Sequence, residues 1–218
     1  MSRTIPRLKL LPINSYVGIN RADPIRLYGW PILGRLYRRR VELCLAQCRG
    51  GQRILEIGFG SGVTFLNLHD MYEEIHGLDL TADAHAVQSA FAARNVRTHL
   101  QNGSVLNMPF PDDHFDAVLL ISILEHLQPN QQAQAFAEIR RVLKPAGQVV
   151  YGVPVERPFM VFMFRLLGYN IREHHFSTER DVSRAADANL RRVGMTELRS
   201  PIPSIGPLYQ VGSYIKPG

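Results

Sequence analysis

The chain has 218 residues, 45% of them hydrophobic, with a formal net charge of +6 and a mean hydropathy of −0.09. That balance suits one domain with a substantial core and excludes wholesale disorder. No run of about 18 apolar residues is present, so no spanning helix is expected, and nothing resembles a signal peptide with its cleavage site. Cys44 and Cys48 are the only cysteines. Two thiols on one helical face, without histidine support, read as buried and reduced in a cytosolic protein, and no metal is expected.

The charge is uneven. Residues 1–50 hold ten Lys/Arg against Asp23 and Glu42, a local +8, so the remainder is near −2. The basic character therefore belongs to an N-terminal arm and helix (1–50), and the body (51–218) is close to neutral.

Residues 1–30 carry Pro6, Pro12 and Pro24 without a sustained period and read as an extended arm wrapping the domain. From Pro31 the pattern is helical, with Leu33, Leu36, Tyr37, Val41, Cys44, Leu45 and Cys48 at spacings of three and four. Arg35, Arg38 and Arg39 fall on the other face. Arg49-Gly50-Gly51 ends that helix, and a first strand over Ile54 to Ile57 follows.

Strands and helices then alternate. A helix is expected over about 63–71, a strand over 74–79, a helix over 82–94 and a strand over 96–100. The apolar run 115–121 suits a strand buried on both faces. A helix over 131–143 stops at Lys144-Pro-Ala-Gly147, and 148–153 makes a fifth strand. Thr178 with Asp181 resembles a capping box opening another helix. Residues 195–216 leave room for two short strands. This alternation implies right-handed crossovers and a parallel sheet covered on both sides.

The stretch Arg53-Ile-Leu-Glu-Ile-Gly-Phe-Gly-Ser-Gly-Val-Thr-Phe65 organises the rest. A buried strand ends near Glu56, and Gly58, Gly60 and Gly62 allow a ligand to approach the main chain. The helix beyond offers free N–H groups. A dinucleotide fingerprint would place its third glycine at position 63, which is Val63. Asp79, about 20 residues on, could accept from ribose hydroxyls of either kind of cofactor.

Six motifs follow in order: Ile54-Leu-Glu-Ile-Gly-Phe-Gly-Ser-Gly62, Gly77-Leu-Asp79, Asn107-Met-Pro-Phe-Pro-Asp112, Phe115-Asp-Ala-Val118, Leu124-Glu-His126 and Val142-Leu-Lys-Pro-Ala-Gly147. Together they resemble the class I S-adenosylmethionine-dependent methyltransferases, especially the small-molecule (type 11-like) subgroup. The resemblance is strong over 50–153, weak over 174–218 and slight in the arm. It implies a Rossmann-like three-layer α/β sandwich with a seven-stranded, mostly parallel sheet. The last strand, near 210–216, would insert antiparallel.

The resemblance also implies site residues. Gly58, Gly60 and Gly62 would face the cofactor, with Glu56 near the methionine amino group and Asp79 at the ribose diol. Gly103, Ser104 and Val105 match the adenine loop. The family usually has Asp where Ser104 stands, and Ser104 is a weaker, neutral acceptor. Ile121 and Ser122 would line the passage to the methyl group. S-adenosylmethionine is a sulfonium cation without phosphate, so a site rich in carboxylates suits it.

His126 is the candidate general base, with packing beside the cofactor as the alternative. His174 and His175 are candidate substrate-pocket residues, with loop packing as the alternative; no third ligand supports a metal there. Tyr151, at the end of the fifth strand, faces either the pocket or its neighbours. The apolar insertion at about 155–176 suits a cap, a membrane-dipping patch, a dimer contact or a buried helix. Tyr28 to Arg40 combines Trp, Tyr and clustered Arg, which allows docking on an anionic membrane surface, although a solvated helix face is the default.

The expected activity is therefore methyl transfer to O, N or C of a small or lipid-like acceptor. The expected location is cytoplasmic, with a tilt towards the inner membrane face, as monomer or homodimer. An RNA methyltransferase gripping phosphates with the basic arm is the alternative, disfavoured by the neutral body and the absence of a recognisable nucleic-acid module. A non-catalytic cofactor-binding protein is the other.

Overall fold

The structure, a computed structural model, describes residues 5–18, 24–31, 33–155, 176–200 and 202–218. Seven strands form one sheet: β1 (Gly51–Ile57), β2 (Tyr72–Asp79), β3 (Thr98–Asn102), β4 (Phe115–Ile121), β5 (Leu143–Pro154), β6 (Arg191–Arg199) and β7 (Pro207–Ile215). Their spatial order is β3-β2-β1-β4-β5-β7-β6. The first five run parallel. β7 lies antiparallel between β5 and β6, which gives the expected sheet.

The described helices are α1 (Leu33–Gln47), α2 (Phe65–His69), α3 (Ala84–Ala92), α4 (Pro129–Val142) and α5 (Glu179–Asn189). α1 to α3 cover one face, where Val41, Cys44, Phe65, Leu68 and Phe91 pack on β1, β2 and β4. α4 and α5 cover the other, through Phe136, Ile139, Val182 and Ala186. β4 is covered from both sides, and Phe115, Val118, Leu119 and Leu120 are fully buried. That burial explains its unbroken apolar run.

The N-terminal residues pack on the first face. Leu8, Tyr16, Ile25 and Tyr28 join its core. Leu8 N–H donates to Glu42, and Lys9 N–H donates to Asn67 Oδ1 at 2.9 Å.

Several boundaries differ from the sequence reading. α1 starts at Leu33 rather than Pro31, and α2 spans five residues because Val63 and Thr64 still belong to the turn. β5 begins at Leu143, not at Gln148. The Lys144-Pro-Ala-Gly147 stretch ends α4 yet continues as strand, with Ala146 at a φ of +61°. The α5 capping box is present, since Thr178 and Asp181 satisfy each other's backbone N–H groups. His174, His175 and nearly all of the apolar insertion lie outside the described residues.

Candidate active site

After β3, at the sheet edge, the chain crosses back to place β4 beside β1. In open α/β sheets, the crevice outside the carboxyl ends of the strands at such a reversal is where ligands bind. The ends of β1, β2 and β4 meet there and carry most of the residues singled out by sequence.

The turn after β1 is shaped by its glycines. Gly58 has a φ of +72°, and a Cβ on it would lie 2.0 Å from Ile123 Cδ1. Only glycine fits this position. Its N–H donates to Leu78 O at 2.7 Å, tying the turn to β2. Gly60 N–H donates to Asp79 Oδ2 at 2.9 Å, while Asp79 Oδ1 accepts from Thr81 N–H and Ala82 N–H at 2.8 and 2.9 Å. One carboxylate thus fixes two turns, and Asp79 stands against the glycine-rich loop.

Glu56 is buried at 3% exposure and accepts a hydrogen bond from the Thr64 hydroxyl. Burial pushes its carboxyl up to about 8; the Thr64 bond opposes that shift and the Asp79 charge adds to it. A buried carboxylate satisfied by one hydroxyl is electrostatically unfinished, and it suits a cationic group in the crevice. The sequence reading found Glu56 but missed Thr64, eight residues on.

The loop after β3 is anchored from behind. Gly103 N–H donates to Asp79 O at 3.0 Å, and Asn102 Nδ2 donates to Ala82 O at 2.8 Å. Ser104 Oγ accepts from Leu106 N–H at 3.2 Å, and Val105 is buried. Further along, Arg141 of α4 donates to the Met108 and Phe110 carbonyls and pairs with Glu138, which accepts from Met108 N–H. The Asn107-to-Asp112 motif is therefore a loop pinned to α4.

Beyond β4, Ile121 is half-buried and Ser122 takes a φ of +57°. A 3-10 turn, Leu124–His126, follows and leaves His126 exposed and Glu125 buried. Phe176 N–H donates to Glu125 O at 2.8 Å, and the Ser177 hydroxyl to Leu127 O at 2.6 Å. The chain after the insertion thus returns to the His126 turn.

Tyr151 lies three residues inside β5, fully buried between Phe136 and Tyr214, with its hydroxyl 3.2 Å from Ser183 Oγ. The strand runs on to Pro154, so the strand-end position expected for Tyr151 is corrected and its packing reading is the one observed. Gly212, opposite it on β7, leaves the space its ring fills.

The sequence also missed a cluster on the far side of Ser122. Ser122 Oγ lies 3.0 Å from the Tyr209 hydroxyl and 3.4 Å from Arg40 Nη1. Tyr209 can lie there because Gly152 has no side chain in its way. Burial pushes the Tyr209 hydroxyl's pKa well up, so it stays protonated. Burial works against the charge on Arg40, while the oxygens of Tyr28, Tyr209 and Tyr37 favour it, and its pKa remains above the ordinary value.

Residues 54–147 match the family model described as a methyltransferase domain. Over that segment, with the same sheet order, the chain is similar to the class I S-adenosylmethionine-dependent methyltransferases. The uncharacterized methyltransferase YcgJ of Bacillus subtilis is 36% identical over 107 residues, which are 47% of this chain and 41% of that protein. The ubiquinone biosynthesis O-methyltransferase of Alkalilimnicola ehrlichii is 30% identical over 129 residues, 57% of this chain and 51% of the relative. The matched stretches thus span about two-fifths to one-half of these relatives. Among solved structures, the N-methyltransferase NodS from Bradyrhizobium japonicum, in complex with S-adenosylhomocysteine, superposes with a TM-score of 0.69 at 18% identity. That match covers 94% of this chain and 100% of NodS. At such identity the likeness concerns the fold of the methyltransferase, and the acceptor must be argued from this chain's residues.

Proposed function

We propose that this protein transfers a methyl group from S-adenosylmethionine to a small or lipid-like acceptor. The observation that carries the reading is the joining of Glu56, the glycine turn and Asp79 into one crevice at the β1/β4 reversal. S-adenosylmethionine, when bound, would supply an electrophilic methyl on a sulfonium whose sulfur is the leaving group. Glu56, once ionised, holds the methionine ammonium. Asp79 would accept from a ribose hydroxyl through Oδ2, which takes one backbone donor where Oδ1 takes two. Gly103, Ser104 and Val105 would border the adenine, and Ile121 would flank the methyl. The chain's main contribution is to align the acceptor with the S–CH₃ bond, worth ~7–11 kcal/mol in favourable cases.

His126 is the proposed base for an acceptor that arrives protonated, a role worth roughly 10²–10⁴-fold. Its exposed position in the turn that follows β4 supports this. His174 and His175, which lie outside the described residues, are proposed as substrate-contacting residues. The name of the ubiquinone biosynthesis relative and the exposed Trp30, at 60%, favour an apolar acceptor near an anionic membrane surface. The arm is less available for phosphates than its charge suggests. Arg38 donates twice to Tyr28 O, Lys9 pairs with Asp70, and Arg39 pairs with Glu42.

Calorimetric titration with S-adenosylhomocysteine tests the cradle. One-site binding, weakened at least about tenfold by Glu56→Gln, is expected for the loss of a buried charge-assisted bond. Absence of binding would remove the reading. Co-sedimentation with phosphatidylglycerol vesicles tests the surface, and no salt-dependent binding would confine the acceptor to solution.

A further inference from the structure

In the corner formed by Arg40, Ser122 and Tyr209, only Ser122 has a role above, lining the passage to the methyl group. The Arg40 guanidinium lies 4.1 Å over the Tyr37 ring and 5.8 Å from the Tyr209 ring centre. Its Nη1 lies 3.4 Å from Ser122 Oγ, at the long limit of hydrogen bonding, and the Tyr28 hydroxyl also bonds to the guanidinium. Its buried Nε has no partner. Glu42, the carboxylate two residues along α1, is engaged with Arg39 and with Leu8 N–H, and among the described residues no ion pair reaches Arg40. A largely buried cation without an anion is costly, and ring faces offset only part of that cost.

The two hydroxyls point the same way chemically. Ser122 Oγ and the Tyr209 hydroxyl are 3.0 Å apart, so one of their two protons serves the bond between them. The other can donate to a ligand. Ser122 is held in the left-handed region, unfavourable for a residue with a Cβ, by its N–H bond to Gly152 O at 2.8 Å. That conformation keeps Oγ at the carboxyl end of β4, next to Ile121. The corner therefore offers one fixed positive charge and a spare hydroxyl donor, and the one carboxylate acting on the Tyr209 hydroxyl is the buried Glu125.

Its place in the sheet decides which ligand it serves. Asp79 and Gly60 meet on the β2 side of the β1/β4 reversal. Ser122 follows β4 and Tyr209 lies on β7, on the opposite side. We propose that Arg40, Ser122 and Tyr209 form a subsite for an oxyanion, carboxylate or phosphate, carried by the methyl acceptor. The inference rests on the methyltransferase reading above. It makes the acceptor an amphiphile: an apolar body presented to the transferable methyl and an anionic group held by α1.

The test is calorimetry on the full chain saturated with S-adenosylhomocysteine. The probes are dodecanoate, 4-hydroxybenzoate and dodecyl phosphate, each against a neutral counterpart (dodecanamide, 4-hydroxybenzamide and dodecanol). At least one anion should bind about tenfold or more tightly than its neutral counterpart, the scale of a desolvated charge-assisted contact. The carboxylate and phosphate arms identify which oxyanion is taken. Arg40→Met should abolish the preference and Arg40→Lys should retain part of it, both with affinity for S-adenosylhomocysteine unchanged. Should Arg40→Met fail to fold, Tyr209→Phe provides the same readout, reducing the anion preference without altering neutral-probe affinity.

The proposal is overturned if no anion is preferred by the wild-type protein, or if the preference survives Arg40→Met. It is equally overturned if Arg40→Met chiefly weakens S-adenosylhomocysteine, which would assign Arg40 to the cofactor's own carboxylate. Failure of the wild type to bind S-adenosylhomocysteine at all would instead sink the underlying methyltransferase reading.

Discussion

Glu56 joins the stability of the empty protein to the use of its site. Its carboxyl is pushed up to about 8 by burial, whereas the same group titrates near 4.3 in an unfolded chain. Between these values the folded state holds the extra proton, so this group's contribution to stability falls as pH rises from about 5 to 8. Glu56→Gln should flatten that decline, and the variant should melt higher than the wild type at pH 8 to 9 by scanning calorimetry. Cofactor affinity should run the other way. Pairing with an ammonium requires ionised Glu56, so affinity should rise by up to about tenfold per pH unit between pH 6 and 8. Titrations in buffers of different ionisation heat should show nearly one proton released at pH 6.5. A flat profile would mean that Glu56 is already ionised in the free protein. Sequence made Glu56 visible because it precedes a glycine turn at the end of an apolar run. Arg40 was harder to see. Its partners lie 82 and 169 positions away, and its place between Tyr37 and Val41 falls on the border of the apolar face.

At the scale of elements, local grammar was the most legible part. The Thr178/Asp181 box starts α5 where the sequence expected it. Thr178→Ala should cost about 1 kcal/mol, seen as a fall of about 2–4 °C in melting temperature. The pinned loop between β3 and β4 was legible only as a motif, because Arg141 and Glu138 grip it from a helix about 30 residues later. Arg141→Ala should loosen that loop, weakening S-adenosylhomocysteine binding while leaving Glu56 chemistry and its pH profile intact. β2 supplies a second pH-dependent element. His76 stacks on His99 at 4.8 Å, meets the His114 ring edge at 5.9 Å, and bonds at 3.4 Å to Glu74, which also pairs with Arg53. Burial holds its pKa below the ordinary value, although the Glu74 bond opposes this. The unfolded chain then binds the proton more readily, and stability contributed by neutral His76 is lost as pH falls below about 6.5. His76→Phe should reduce the acid loss of stability between pH 6.5 and 5. An unchanged acid slope would show that His76 is not its source.

The whole molecule was legible where hydrophobic periodicity and strand–helix alternation speak for the sheet. The continuous run of β4 signalled a central strand, and the motifs in order signalled the crevice beside it. Boundaries were less legible where one residue type serves two ends. Lys144 to Gly147 stops α4 and also begins β5, so the expected break is instead a seam between two elements. The N-terminal helix was visible, but not that its packing on the β4, β5 and β7 side brings a cation to the end of the sheet. That tertiary placement gives the molecule a proposed division of labour: β1 and β2 carry the carboxylates assigned to the cofactor, and α1, β4 and β7 carry the grip on the acceptor. The most direct measurement of the central claim is incubation with methyl-labelled S-adenosylmethionine and fractionated small-molecule, lipid and RNA extracts. The account predicts label in a small-molecule or lipid fraction, lost with Glu56→Gln. Label confined to RNA, or none in any fraction despite firm cofactor binding, would contradict it.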